Sequence, residues 1–155
     1  MIYISTGGFN KKSVIEVIQI LSKNNINAFE LSGGVFTDNL ESKLKILSDK
    51  FEFTVHNYFP PPKKPFVLNL ASLNENIYQE SVNHIKQSIK LASFIKSPFY
   101  SFHAGFLIDP KVKELGKTIK SNSLYDRDKS LKRFIHSIKF LSKYASKYKI
   151  KLLVE

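Results

Sequence analysis

The chain has 155 residues and carries 24 basic against 13 acidic side chains, so its formal net charge is +11. That length suits one domain, and a 43% share of hydrophobic residues is enough for a core, which excludes a wholly disordered chain. The lack of cysteine excludes a disulfide scaffold, a cysteine-ligated zinc site and a cysteine nucleophile. No stretch reaches the roughly 18 apolar residues of a membrane span, and no signal-peptide pattern is visible, so we expect a cytoplasmic protein without membrane contact.

The basic charge is almost entirely lysine, because Arg127 and Arg133 are the two arginines in the sequence. Proteins that read base edges or clamp phosphates rely on the planar fork of arginine. We therefore interpret the charge as a solvated surface in preference to a nucleic-acid footprint. The sequence pI of about 9.7 still favours anionic ligands, including sugar phosphates.

Short apolar runs typical of strands alternate along the chain with longer segments whose apolar residues recur at the helical spacing. The predicted strands are 2–5, 28–31, 51–55, 99–102 and 150–154, and the predicted helices are 11–23, 40–47, 74–95 and 128–147. Strand and helix alternate without a hairpin signal, which predicts an α/β fold with a parallel sheet and right-handed crossovers.

Capping residues stand near the starts of the predicted helices. Ser72 and Glu75 have the spacing of a capping box for the third helix, and Asn10 and Asp128 are predicted to cap the first and fourth. Four of the six prolines fall in the segment 60–65, directly after the third strand. Because consecutive prolines fit neither a helix nor a central strand, we expect a stiff loop that borders the mouth of a site.

Side chains that can bind a metal end three successive predicted strands. His56 ends the third, His103 the fourth and Glu155 the fifth. Neighbouring parallel strands lie about 4.8 Å apart, so these side chains can converge on one ion. Nitrogen and oxygen donors without sulfur suit Zn²⁺, Mn²⁺ or Fe²⁺. The other two histidines, His84 and His136, fall inside helical patterns and are predicted to be exposed.

The order of these motifs resembles the xylose isomerase-like TIM barrel superfamily. The resemblance rests on His56-Asn-Tyr-Phe, on Phe66-Val-Leu-Asn69-Leu-Ala-Ser72 before a long helix, on Phe102-His103-Ala-Gly105 and on Leu153-Val-Glu155. It implies a parallel (β/α) barrel of which the chain supplies the first five strands and four helices. It also implies that His56, His103 and Glu155 are metal ligands, with Zn, Mn, Co or Mg as the divalent metal.

The superfamily holds sugar and sugar-phosphate isomerases and epimerases together with abasic-site nucleases of the endonuclease IV type. The resemblance implies metal-dependent isomerisation or epimerisation of a sugar or sugar phosphate, with Glu155 as ligand, catalytic base or both. The alternative is a metal-dependent abasic-site endonuclease, for which nucleic acid would be the partner. Lysine-rich charge favours that alternative, whereas the scarcity of arginine and Ala104, where the nuclease group has proline, count against it. A third alternative is a half barrel without catalytic activity.

Two further residues are candidates for substrate binding. Glu30 ends the second strand and points either toward substrate or into hydrogen bonds within the barrel. Asn69 either lines the pocket or bonds a neighbouring stretch of backbone. Gly105 is expected to let the backbone pass close to the site.

The predicted elements amount to little more than half of a TIM barrel, which needs about 250 residues. We therefore expect residues 1–155 to be a single domain that forms the N-terminal part of a longer (β/α)8 protein and is inactive alone. The alternative is self-association, in which a second chain covers the open edge of the barrel.

Overall fold

The computed structural model describes residues 2–9, 11–119 and 124–155. The strands in this part of the chain are β1 (Ile4–Ser5), β2 (Ala28–Leu31), β3 (Glu52–His56), β4 (Phe99–Phe102) and β5 (Lys151–Val154). The α-helices are α1 (Val14–Ser22), α2 (Leu40–Leu47), α3 (Glu75–Phe94) and α4 (Arg127–Lys147), and a 3₁₀ turn covers Val112–Glu114. No helix within the described ranges is long and apolar enough to cross a membrane.

The five strands form one sheet in the order β1-β2-β3-β4-β5, and every neighbouring pair is parallel. One α-helix lies between each strand and the next in the sequence. This arrangement confirms the predicted α/β fold with a parallel sheet. Among the described residues, β1 and β5 each have a neighbouring strand on one side, so they form the two edges of the sheet.

The two faces of the sheet differ in chemistry because successive side chains along a strand alternate between them. One face carries large apolar side chains that are fully buried in the core with the helices: Phe29, Leu31, Val55, Tyr100 and Phe102. The opposite face, which is the inner face of a barrel, carries polar side chains at the alternate positions: Glu30, Thr54, His56 and Ser101. The polar face is where a ligand can meet functional groups.

Helix α1 begins with a capping box formed by Ser13 and Glu16, three residues after the predicted cap Asn10. The hydroxyl of Ser13 accepts a hydrogen bond from the backbone N–H of Glu16, and the Glu16 carboxylate accepts one from the backbone N–H of Ser13. The two groups satisfy backbone donors that a helix start leaves unpaired. The predicted cap Asn10 lies outside the described residues.

Two other predicted caps were wrong by two residues. The side chain that caps α3 is Asn74, which accepts backbone N–H groups of the first turn, and not Ser72. The side chain that caps α4 is Asp126, which accepts a backbone N–H three residues on, and not Asp128. In both helices an acceptor-bearing residue nearer to the true start satisfies the free N–H groups.

Candidate metal centre

Parallel pairing brings the three predicted metal ligands to one edge of the sheet. His56 is the last residue of β3, and His103 and Glu155 directly follow β4 and β5. In the register of the sheet His56 lies opposite Ser101, and Ser101 lies opposite Leu153. His103 and Glu155 lie two residues beyond that row. All three candidate ligands therefore belong to the inner face of the sheet.

The side chains of the three residues form a compact cluster. One potential ligand atom from each lies within 4.8 Å of the others. The imidazole rings of His56 and His103 meet edge to face, with centroids 5.1 Å apart, and His56 Nδ1 lies 3.6 Å from Glu155 Oε1. An ion bound at about 2.0–2.2 Å keeps tetrahedral ligand atoms roughly 3.4 Å apart. Small side-chain rotations would bring the cluster to that size, so this donor set fits a divalent metal.

Backbone hydrogen bonds hold the two residues that follow the strands. The N–H of Glu155 donates to the carbonyl of Phe102 at 3.0 Å, and the N–H of Ala104 donates to the carbonyl of Glu155 at 3.3 Å. The ladder between β4 and β5 thus continues through the positions of His103 and Glu155. Their Cα atoms are fixed relative to each other even though both side chains are exposed.

Ser101 contacts His56 of the cluster, although it was not among the predicted site residues. Its hydroxyl lies 2.8 Å from His56 Nδ1, and the residue is 3% exposed. A hydrogen bond at one ring nitrogen fixes the tautomer and orientation of an imidazole and so decides which nitrogen is free for a metal. The sequence signal was present, because Ser101 precedes His103 by two residues and therefore shares its face of β4.

A model of the family described as "Xylose isomerase-like TIM barrel" matches residues 18–155. The chain belongs to this family. A 65-residue segment is 32% identical to the probable endonuclease 4 of Sulfurihydrogenibium sp. (strain YO3AOP1), and that match covers 42% of this chain and 23% of the relative.

Solved structures of sugar epimerases share the fold. A D-tagatose 3-epimerase-like protein superposes with a TM-score of 0.68 at 22% identity over 92% of this chain and 48% of its own. D-Psicose 3-epimerase from Clostridium cellulolyticum H10, solved with D-tagatose, gives a TM-score of 0.64 at 16% identity, covering 96% and 50%. The chain therefore spans about half the length of these two epimerase structures, and its match to the endonuclease covers 23% of that protein.

Glu30 lies on the inner face of the sheet but outside the three-residue cluster. It pairs in register with Ser5 on β1 and with Thr54 on β3, and Thr54 precedes His56 by two residues. Glu30 is therefore on the strand next to β3, at the level of Thr54 and not of His56. Its side chain is partly buried. Its contact with substrate stays a prediction.

Asn69 is fully buried, and its amide is used within the protein. The NH₂ group lies within hydrogen-bond distance of the carbonyls of Phe106 and Ile108 and of the Asp109 carboxylate, at 2.8–3.1 Å. The amide oxygen accepts from the N–H groups of Ala71 and Phe106, both at 3.0 Å. This is the backbone-bonding alternative of the two considered for Asn69. The side chain has no free polar atom to offer a substrate, so that role stays a prediction without support from the geometry.

The loop that follows His103 is tied down through Asp109. Besides Asn69, its carboxylate accepts a hydrogen bond from the Ser72 hydroxyl at 2.7 Å and another from the Tyr125 hydroxyl. Burial and the adjacent Asp109 carboxylate raise the pKa of Tyr125, so the phenol remains a hydrogen-bond donor. These hydrogen bonds of Asp109 join the segment before α3 to both ends of the loop between β4 and α4.

His84 is buried, which contradicts its predicted exposure, while His136 is exposed as predicted. The His84 ring stacks on Tyr58 at a centroid distance of 5.2 Å and meets the edge of Phe66 at 5.7 Å. Burial lowers the pKa of His84 to about 4, so the ring is neutral near pH 7. Helical periodicity missed this because the loop after β3 folds over α3 and covers the histidine.

Proposed function

We propose that this chain carries part of the active site of a divalent-metal-dependent isomerase or epimerase that acts on a sugar or sugar phosphate. The observation that carries the proposal is the convergence of His56, His103 and Glu155 at the carboxyl ends of three adjacent strands. Two imidazoles and one carboxylate suit Zn²⁺, Mn²⁺ or Co²⁺, and Mg²⁺ fits them less well because it prefers oxygen ligands.

In this proposal the side chains of the cluster have separate tasks. The Ser101 hydroxyl, 2.8 Å from His56 Nδ1, is assigned the task of orienting this ring for the metal. A bound divalent metal would supply Lewis-acid polarisation of the substrate's carbonyl and hydroxyl oxygens. Glu155, whose side chain is 50% exposed, is assigned the role of metal ligand, of the base that takes a proton from the carbon next to that carbonyl, or both.

The epimerases among the structural neighbours support the sugar class. Their identity with this chain is below 25%, so the fold alone is shared, and the transfer of their chemistry to this chain is our proposal. Because the chain spans about half of those proteins, we propose that it supplies the first metal ligands and that turnover needs further strands. Metal and sugar binding, rather than turnover, are therefore the decisive measurements on this chain.

Isothermal titration of the chain with Mn²⁺ and Zn²⁺ tests the metal site. His103→Ala removes one of three ligands, so we expect metal affinity to fall more than about 100-fold, beyond the 10–100-fold typical of losing a supporting partner of a ligand. His136→Ala is the matched control, because it removes an exposed imidazole on α4. Equal metal affinity in the two variants would defeat the assignment of the site. If the proposal holds, the metal-loaded chain also binds ketoses, and His103→Ala abolishes that binding.

An abasic-site endonuclease is the second candidate, and the specific observation in its favour is the 32% identity to a probable endonuclease 4 over 65 residues. Two features count against it: Ala104 stands where the nuclease group has proline, and the chain has two arginines among its 24 basic residues. An electrophoretic assay with a duplex that contains one abasic site separates the two functions. A nuclease would bind or nick that duplex, and its affinity would fall steeply with salt because binding releases counterions. A sugar enzyme would do neither.

A further inference from the structure

An apolar cavity of about 320 Å³ adjoins the candidate metal centre. The loop after β3 forms one side of it and the loop after β4 forms the other. His103 lines the cavity, so the cavity and the metal cluster share a wall. Most of the remaining lining consists of apolar and aromatic side chains: Tyr58, Phe66, Leu68, Phe106, Val112 and Leu115.

The aromatic side of the cavity is held in place and presents rings in preference to polar groups. The Tyr58 hydroxyl oxygen accepts a hydrogen bond from the backbone N–H of Phe66 at 2.7 Å, which holds the ring in place, and its O–H remains a donor. The two rings meet at a centroid distance of 5.5 Å, and both pack against the buried ring of His84. Such a wall favours contact with C–H groups of a ligand.

Apart from the adjoining candidate metal centre, the lining of the cavity has no cation that would balance a phosphate. None of the described residues that line it is lysine or arginine, although the chain has 24 such residues. Apart from His103 and Tyr58, the polar lining side chain is the neutral amide of Asn57. A phosphate depends on charge-assisted hydrogen bonds from arginine or lysine, or on a helix N-terminus. A charged or heavily hydrated group would lose part of its water here, and no cationic side chain of the lining would compensate.

We propose that this cavity receives the deoxygenated end of a neutral sugar, so that the substrate is a deoxyketose and not a sugar phosphate. The inference rests on the proposed function, because it assumes that the oxygen-bearing end of the sugar faces His103 and the metal. A methyl group gains from burial against Phe66 and Leu115, whereas a hydroxyl at the same place loses hydrogen bonds to water. The cavity thus determines specificity within the sugar class.

Titration calorimetry on the Mn²⁺-loaded chain tests this with three ligands: a 6-deoxyketohexose, the parent ketohexose and its 6-phosphate. We expect the deoxy sugar to bind about tenfold more tightly than the parent sugar and the phosphate to bind least. Equal or tighter binding of the parent or the phosphate would overturn the cavity assignment and leave the proposed function standing. If Mn²⁺ binds and none of the sugars does, the proposed function fails, and this inference fails with it.

A pair of leucine variants locates the effect. Leu115→Lys places a cation in the lining and should reverse the preference, so that the 6-phosphate binds more tightly than the deoxy sugar. Leu131→Lys is the matched control, since Leu131 is 50% exposed against 48% for Leu115 and does not line the cavity. Both side chains are half-exposed, so folding should tolerate either change. Identical ligand preferences in the two variants would overturn the inference.

Discussion

His56 can serve as a metal ligand only if one of its ring nitrogens has a free lone pair. A neutral imidazole has one nitrogen that donates and one that accepts, and its hydrogen-bond partner selects between them. Ser101 is that partner, because its hydroxyl lies 2.8 Å from Nδ1 and the surrounding strands bury it. The hydroxyl can accept the Nδ1 proton and leave Nε2 free. We therefore predict that Ser101 positions the His56 ring for the cluster.

We predict that Ser101→Ala weakens Mn²⁺ or Zn²⁺ binding about 10–100-fold, as is typical when a supporting partner of a metal ligand is lost. Titration calorimetry measures the change. Ser97→Ala is the matched control, because Ser97 is 4% exposed against 3% for Ser101 and its hydroxyl bonds the carbonyl of Phe99, at the other end of β4. An equal loss of affinity in both variants would mean that a buried serine matters for folding alone.

His84 links the stability of the protein to pH. Burial lowers its pKa from 6.5 to about 4. The unfolded chain therefore takes up the proton first as the pH falls, and the stabilisation that is present above pH 6.5 is lost between pH 6.5 and pH 4. We predict that the free energy of unfolding falls by up to about 3 kcal/mol across this interval. Urea denaturation at a series of pH values measures it.

His84→Phe keeps a ring between Tyr58 and Phe66 without a titratable nitrogen. We expect this variant to lose most of the pH dependence in that interval. His136→Phe removes an exposed imidazole from α4 and should keep the dependence of the parent chain. If the parent and His84→Phe show the same pH profile, the buried histidine is not its source.

At the scale of elements, the order of strands and helices was predictable because periodicity depends on local sequence. The bounds of β2, β4 and α2 match the prediction, since turn residues flank these elements closely. The start of α3 was not predictable in the same way. Ser72 and Asn74 are both good capping residues, and Ser72 is instead drawn to Asp109, which is 37 residues further along the chain.

In the candidate site, too, some features follow from local sequence and others from contacts between distant parts of the chain. Strand ends in a parallel sheet meet at one edge, so the proximity of His56, His103 and Glu155 follows from the order of elements. Their binding of metal stays a prediction. The contact of Ser101 with His56 depends on the register between β3 and β4. The apolar cavity depends on how two long loops fold against each other. Neither is encoded in a local pattern.

Gly105 allows the loop after His103 to pass against Asn69. Its φ of +123° is unfavourable for other residues, and a Cβ at this position would lie 2.6 Å from Asn69 Oδ1. We predict that Gly105→Ala destabilises the protein by about 2–4 kcal/mol, because backbone strain and the clash add. The clash falls on an amide oxygen that two backbone N–H groups hold in place, so it cannot move away cheaply.

Gly116→Ala is a comparison in which the backbone is strained and the added Cβ makes no clash. Gly116 also has a positive φ, at +74°, but an added Cβ would meet nothing within 4 Å. Backbone strain alone should cost this variant about 1 kcal/mol. Urea denaturation of both variants gives the difference, and equal losses of stability would show that the contact with Asn69 is unimportant.

At the scale of the whole molecule, β1 and β5 form the two edges of the sheet within the part of the chain that the structure describes. Apolar side chains on both edge strands are exposed: Ile4 at 36%, Leu153 at 44% and Val154 at 47%, with Ile2 beside β1 at 83%. Edge strands of this kind are templates for pairing with another chain. Whether residues 1–155 form the N-terminal part of a longer barrel stays a prediction, which the coding DNA beyond the Glu155 codon tests directly.

We predict that the chain self-associates through these edges and that salt strengthens the association. The formal charge of +11 makes copies repel one another, and salt screens that repulsion while the apolar contact remains. Sedimentation velocity at 50 and 500 mM NaCl measures the effect.

The double variant Ile2→Lys, Val154→Lys should stay monomeric at both salt concentrations. Ile46→Lys, on α2 and 69% exposed, adds charge away from the edges and should associate like the parent. A monomeric parent at high salt would contradict edge pairing, and a monomeric Ile46→Lys would assign the effect to net charge instead.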